Sequence, residues 1–244
     1  MDPEVPLVVT EVNPQAILKH KGIIANPNCS TIIMVMALKP IYDLAKIKRV
    51  IVSTYQAVSG AGKEGIDELD AQVREHSEGR EMTANILPSA SAEKHYPIAF
   101  NLIPQIDVFC DNLYTKEEMK MVNETKKIME DYEMRITATT IRVPVYRSHS
   151  ESVNIELEKE VDLGAMREAL AKFPGVTVQD DPSKQEYPMP LYTSEKDDVY
   201  VGRLRRDESC EKSYNMWVVG DQIRKGAALN TLQIAETMIK NGWI

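Results

Sequence analysis

Between residues 135 and 222 one β-rich stretch follows another, and this constrains the fold more than any other part of the chain. RITATTIRVPVY (135–146) leads into ESVNIELEKE (151–160), where Val153, Ile155 and Leu157 alternate with Asn154, Glu156 and Glu158. That period of two belongs to a half-buried strand. GVTVQ (175–179), DVYVGRLRRD (198–207) and YNMWVVGDQ (214–222) read as further strands. Strands outnumber helices here and do not alternate with them regularly. The expected class is therefore α+β, a mixed, mainly antiparallel sheet with helices on one face, and not a doubly wound parallel sheet.

Elsewhere VPLVVTEV (5–12) and KRVIVSTY (48–55) read as strands. STIIMVMALKPIYDLAK (30–46) reads as an apolar helix in which Pro40 implies a kink or an end. KEGIDELDAQVREHSE (63–78) is amphipathic, and Thr115 with Glu118 forms a capping box that opens another helix. Asp162 can cap a helix to about residue 173, and GAALNTLQIAETMIKNG (226–242) closes the chain as a helix. Periodicity is lost from 79 to 111, yet the segment is too apolar to stay solvated, so it is expected to be ordered irregular chain.

The 244 residues suffice for one large domain or two small ones. A formal charge of -8 argues against a nucleic-acid binder, which must neutralise phosphates with Lys and Arg. No run approaches the roughly 20 apolar residues of a membrane span. Cys29, Cys110 and Cys210 are too few and too scattered for a disulfide framework, and none has metal-ligand spacing to another Cys or to a His. A reducing, cytoplasmic setting is the expectation.

Chemistry is suggested first by GIIANPNCSTIIMV (22–35). Cys29 stands between an Asn-Pro-Asn turn and the apolar run, where free backbone N–H groups and the helix dipole favour a thiolate. It is a candidate nucleophile or a small buried residue. His149, between two strands, is a general base or a satisfied loop histidine. Arg142, within a β-rich stretch, needs a carboxylate, from the protein or from a ligand. Glu117 and Lys120 share a helix face at i, i+3, to pair with each other or to receive a ligand. GAGKEG (60–65) matches G-x-G-x-x-G, but QAVS separates it from its strand and the chain enters a long irregular stretch after the helix, so a tight loop and helix start is the reading. A ligand could still approach such bare backbone closely.

GIIANPNCSTI, STYQAVSGAG, HYPIAFN, YTKEEMKMVNETKKI, RVPVYRSHSESV, YPMP with DVYVGRLRRD, and WVVGDQIRKGAALNTLQIAE resemble, in order and spacing, successive blocks of the bacterial aspartate-β-semialdehyde dehydrogenase family. The resemblance spans nearly the whole chain. It implies that Cys29 is the acylated nucleophile, Gln56 a group that contacts and orients substrate, and His149 the general acid/base. Arg142 would hold the substrate α-carboxylate, Glu117 its α-ammonium and Lys120 the phosphate. Ser59, Gly60 and Gln222 would touch NADP. The implied reaction is reduction of β-aspartyl phosphate to aspartate semialdehyde through a Cys thioester, by a homodimer or homotetramer. Related acyl-phosphate reductases, such as N-acetyl-glutamyl-phosphate reductase, share the Cys and His, as does glyceraldehyde-3-phosphate dehydrogenase; the block bearing Glu117 and Lys120 favours aspartyl chemistry. The family also has a nucleotide-binding domain of roughly a hundred further residues with a G-x-x-G-x-x-G loop, a normal domain size. Residues 1–28 would then be its remnant, 29–220 the catalytic and dimerisation domain, and 221–244 a C-terminal helix returning to it. On that reading NADP binding is weak and the polypeptide alone has little dehydrogenase activity; a non-catalytic dimerisation fragment is the alternative.

Overall fold

The computed structural model describes residues 2–243. In chain order the elements are α1 (Cys29–Leu44), β1 (Ile47–Gln56), α2 (Lys63–Ser77), α3 (Lys116–Ile128), β2 (Arg135–Arg142), β3 (His149–Leu157), α4 (Leu163–Lys172), β4 (Val176–Val178), α5 (Pro190–Thr193), β5 (Val199–Arg206), β6 (Ser213–Gly220) and α6 (Leu229–Asn241). Six strands make one sheet in the order β2-β1-β3-β6-β5-β4. The pairs β1–β3, β3–β6 and β5–β6 are antiparallel, while β1–β2 and β4–β5 are parallel. This is the mixed, mainly antiparallel α+β sheet that the pattern of strands predicts.

Helices α1, α3 and α4 pack on one face of it. Along β1 the residues toward them, Val50, Val52, Thr54 and Gln56, are buried, whereas Ile51, Ser53 and Tyr55 are only partly covered. The core joins Ile32, Met36 and Ile41 of α1 to Val52, Val153, Ile155 and Val218 of the sheet. Because α1 is buried over most of its length, it runs through Pro40 to Leu44. Packing outweighs the roughly 3 kcal/mol cost of an internal proline, so Pro40 does not end the helix.

The strand expected over 5–12 is reduced to a single bridge, Leu7 with Ala25. Asn13 is the reason. Its Oδ1 accepts from Val9 N at 2.9 Å and its Nδ2 donates to Leu7 O at 2.9 Å, so the side chain takes the backbone groups a neighbouring strand would use. The segment then packs on α6, with Val8, Ala16, Ile17 and Ile234 forming a small core of their own. Buried Lys225, preceding α6, ties the two together through Glu11, Asn230 and Gln233.

The irregular stretch after α2 is ordered by side chains that replace a ladder. Gln72 Oε1 accepts from Ile98 N and Ala99 N, and Glu68 Oε2 from Asn85 N and Ile86 N. In the GAGKEG loop, a Cβ on Gly65 would stand 2.5 Å from Val58 O, so this glycine lets α2 pack on its own entry turn. The capping box is formed: Glu118 N donates to Thr115 Oγ1 at 3.2 Å and Thr115 N to Glu118 Oε2 at 2.7 Å.

Candidate active site

The topology delivers distant residues to one end of the sheet. Gln56 is the last residue of β1, Arg142 the last of parallel β2, and His149 the first of antiparallel β3. Gln56 stands in register with Arg142, and His149 with Gly220 at the end of β6. Cys29 opens α1 beside them.

Asn28 sets the start of α1. Its Oδ1 accepts from Ser30 N at 3.0 Å and Thr31 N at 3.2 Å, the geometry of an N-cap. Its Nδ2 donates to Glu117 Oε1 at 2.8 Å, and its own N–H donates to Glu124 Oε2 at 2.7 Å. Two carboxylates of α3 therefore hold the residue that precedes the cysteine. Glu117 also accepts from Gln56 Nε2 at 3.2 Å and lies 3.3 Å from Lys120 Nζ, which reaches Asp107 at 3.2 Å. The helix-face pair predicted from spacing is thus formed, but Glu117 is 5% exposed and binds more than its neighbour. Burial pulls Lys120 down, yet Glu117 and Asp107 outweigh it and hold the ammonium above its ordinary value.

The sequence suggests a thiolate at residue 29; the structure corrects this. The residue keeps part of its surface open, yet burial, then the Glu117 charge, pushes the thiol up to about 12 against the pull of Arg142 and Ser30. Desolvation outweighs the helix start, so the thiol is neutral at rest. Gly226 packs on it so closely that a Cβ there would lie 3.0 Å from Cys29 Cβ.

Arg142 and His149 both bond to the backbone of Ala57. Arg142 Nη1 donates to Ala57 O at 2.8 Å, while Ala57 N donates to His149 Nδ1 at 3.1 Å. Among the described residues Arg142 Nε and His149 Nε2 are buried without partners. Burial, then the Arg142 charge, holds His149 well below the ordinary histidine value. A Cβ on Gly60 would stand 2.6 Å from Arg142 Nη1 and 3.5 Å from His149 Nε2, so only glycine leaves this room. Beside it Gln222 Nε2 donates to Ser59 Oγ, and Gln222 Oε1 accepts from Ser148 N at 2.9 Å.

All nine residues singled out in the sequence therefore fall in one region: Cys29, Gln56, Glu117, Lys120, Arg142 and His149 around the strand ends, with Ser59, Gly60 and Gln222 on the adjoining loops. Four contributors were missed: Asn28, Ala57, Glu124 and Gly226. Asn28 had a signal, since Asn directly before an apolar helix is a favoured N-cap. Ala57 acts through its backbone and Gly226 through the absence of a side chain, and neither leaves a residue-type signature. Such an arrangement offers a thiol, an imidazole and receptors of both signs to a small zwitterionic molecule.

Comparison with known proteins gives the family. The family model described as semialdehyde dehydrogenase, dimerisation domain, matches residues 38–225. Aspartate-semialdehyde dehydrogenase of Aquifex aeolicus is 55% identical over all of this chain and 71% of its own length, and that of Bacillus subtilis 52% identical over 98% and 70%. The crystal structure of aspartate semialdehyde dehydrogenase II from Vibrio cholerae, complexed with ASA, superposes with a TM-score of 0.91 at 46% identity, over 98% of this chain and 69% of that one. The chain thus spans about 70% of these relatives' length, and on identity, fold and coverage it belongs to the aspartate-semialdehyde dehydrogenase family.

Proposed function

We propose that the site accepts the aspartyl group of β-aspartyl phosphate on Cys29 as a thioester, on the way to aspartate semialdehyde. The observation that carries this is the meeting, around one thiol, of a buried guanidinium with a free Nε and a buried carboxylate. The pair matches the α-carboxylate and α-ammonium of an amino acid. Arg142 holds the carboxylate, Glu117 the ammonium, and Lys120, which is part-exposed, meets the phosphate. Gln56 orients the acyl group from between Glu117 and Thr54. Sulfur suits the role, being both a strong nucleophile and a good leaving group.

Ser59, Gly60 and Gln222 are the residues that would touch NADP, and the fit rests on the bare backbone at Gly60 facing Arg142 and His149. When bound, that cofactor supplies or takes the hydride. The chain's own residues bind the substrate, fix the thiol and supply the hydrogen bonds to the reacting oxygen. Pairing of two copies through the sheet face left open by the helices gives a homodimer, for which the dimerisation-domain match and the Tyr55–Trp217 contact on that face speak; a homotetramer would stack two such pairs. No helix among the described residues is long and apolar enough to cross a membrane, in keeping with work in the cytoplasm.

The test is mass spectrometry of the chain after mixing with β-aspartyl phosphate. An aspartyl adduct on Cys29, with release of phosphate and absent in Cys29→Ser, is expected. Equal labelling of Cys110 and Cys210, or none on Cys29, would overturn the reading.

A further inference from the structure

Lys225 immediately precedes the glycine that packs on Cys29, and it is only 1% exposed. Burial draws its ammonium below the ordinary lysine value, against the pull of Glu11. Its Nζ donates to Glu11 Oε2, to Asn230 Oδ1 at 3.1 Å and to Gln233 Oε1 at 2.7 Å. Three acceptors use every proton the ammonium carries, so the side chain is fixed in direction. A buried ion pair adds little net stability over apolar residues of the same volume. What such a set of bonds supplies is a position.

Two walls of the Cys29 site hang on it. The first is the π-helical turn 224–228, where Gly226 N donates to Asp221 O at 3.2 Å and Ala228 N to Ile223 O at 3.0 Å. Such windings are rare and recur at functional sites. Fully buried Asp221 ties the front of the turn, its Oδ1 accepting from Ile223 N at 2.9 Å and Arg224 N at 3.2 Å, while Lys225 ties its interior. The turn thereby presses Gly226 on the cysteine. The second wall is the approach to α1. Asn230, which accepts from Lys225, donates from Nδ2 to Asn26 Oδ1 at 2.7 Å and to Val8 O at 2.9 Å. Asn26 opens the Asn-Pro-Asn turn that delivers Cys29, and its own Nδ2 donates to Pro27 O at 3.2 Å. One buried hub thus holds the chain on both sides of the thiol.

We propose that Lys225 is a positioning residue: through Gly226 on one side, and Asn230 with Asn26 on the other, it clamps Cys29 where the sulfur can reach the acyl carbon. This rests on the reading of Cys29 as the nucleophile given above. The ammonium is spent on Glu11, Asn230 and Gln233 and has no proton left for a substrate. Its loss therefore acts on the rate of acylation and not on substrate binding. A misplacement of about 1 Å, caused far from the chemistry, can cost roughly 100-fold in rate.

Acylation of Cys29 by β-aspartyl phosphate, timed by rapid quench and mass spectrometry, separates placement from stability. Lys225→Met alone would strand the Glu11 carboxylate, so it is combined with Glu11→Met, which leaves no unpaired charge. Asn26→Ala cuts the second wall at a part-buried residue outside the core. In both variants the rate constant at saturating substrate should fall by roughly 10- to 100-fold, with the half-saturating concentration unchanged. An unfolded fraction would lower the amplitude and leave the rate constant alone. Iodoacetamide should meanwhile alkylate Cys29 faster than in wild type, because a released thiol is less desolvated, with Cys110 and Cys210 unchanged. Wild-type rates of acylation and alkylation in either variant overturn the clamp, as does a loss confined to the half-saturating concentration. A wild-type chain that forms no aspartyl-Cys29 overturns the substrate reading alone, and alkylation then decides the clamp.

Discussion

Gly226 and Cys29 are packed so that a methyl group on the glycine would stand 3.0 Å from the cysteine Cβ, 3.3 Å from its Cα and 3.4 Å from its carbonyl oxygen. Gly226 lies in the π-helical turn 224–228, with a backbone that other residues adopt. Space, not torsion, therefore demands glycine here.

Gly226→Ala should destabilise the chain by about 1–3 kcal/mol, the usual cost of overpacking. The same change should also alter alkylation of Cys29 by iodoacetamide while leaving Cys110 and Cys210 untouched. Urea denaturation with thiol labelling by mass spectrometry checks both. Unchanged stability together with unchanged Cys29 reactivity would show that the contact constrains nothing.

Glu117 should act as an electrostatic lock on the thiol. It grips Asn28 and Gln56, and its charge opposes a thiolate at Cys29. Glu117→Gln should make the thiol roughly tenfold more acidic, read as thiolate absorbance against a Cys29→Ser blank. L-2-aminobutyrate, whose ammonium can neutralise Glu117, should shift wild type the same way. Butyrate, which lacks the ammonium, should not, and Glu117→Gln should not respond to either. An unmoved thiol in Glu117→Gln would dismiss the lock.

What was legible in the sequence follows a physical line. Strand periodicity gave the α+β class, because alternation along β3 reports directly which side faces the core. Capping gave α3 and α4, because Thr115 and Asp162 bond within their own first turns. The chemistry carried by side chains, Cys29, Arg142 and His149, was legible as well. Illegible were the roles carried by backbone and by context. The Asn13 side chain undoes the strand at 5–12 through contacts with Leu7 and Val9. Burial reverses the expected ionisation of Cys29. The His149 ring is held by an N–H of Ala57, 92 residues away in the chain.

The sheet face opposite α1 should be the surface on which two copies meet. Ser53 lies on this face, midway along β1, in register with Thr139 of β2 and Ser152 of β3. Two arginines brought together there would be buried without partners, so Ser53→Arg should convert a dimer to monomer. Sedimentation velocity decides it, with circular dichroism confirming that the fold persists. A Ser53→Arg chain that sediments as a dimer would move the interface elsewhere.

Glu151 and His149 should pull stability in opposite directions with pH. Glu151 stands on β3 between Thr54 of β1 and Val218 of β6, fully buried, with neither carboxyl oxygen bonded among the described residues. Burial raises it well above the ordinary 4.5, so the folded chain holds a proton that the unfolded chain releases. Its share of stability is complete below pH 4.5 and is lost as pH rises, at up to about 1.4 kcal/mol per pH unit. His149, held well below 6.5, acts the other way: its share is complete above pH 6.5 and is lost as pH falls from there. Glu151→Met, which replaces the carboxyl by an apolar group of similar length, should equal wild type near pH 4 and exceed it progressively toward neutrality. Denaturation midpoints of the two proteins from pH 4 to 8 provide the measurement. Parallel curves would mean that Glu151 ionises in the folded chain as freely as in the unfolded one, and that its carboxyl has found a partner.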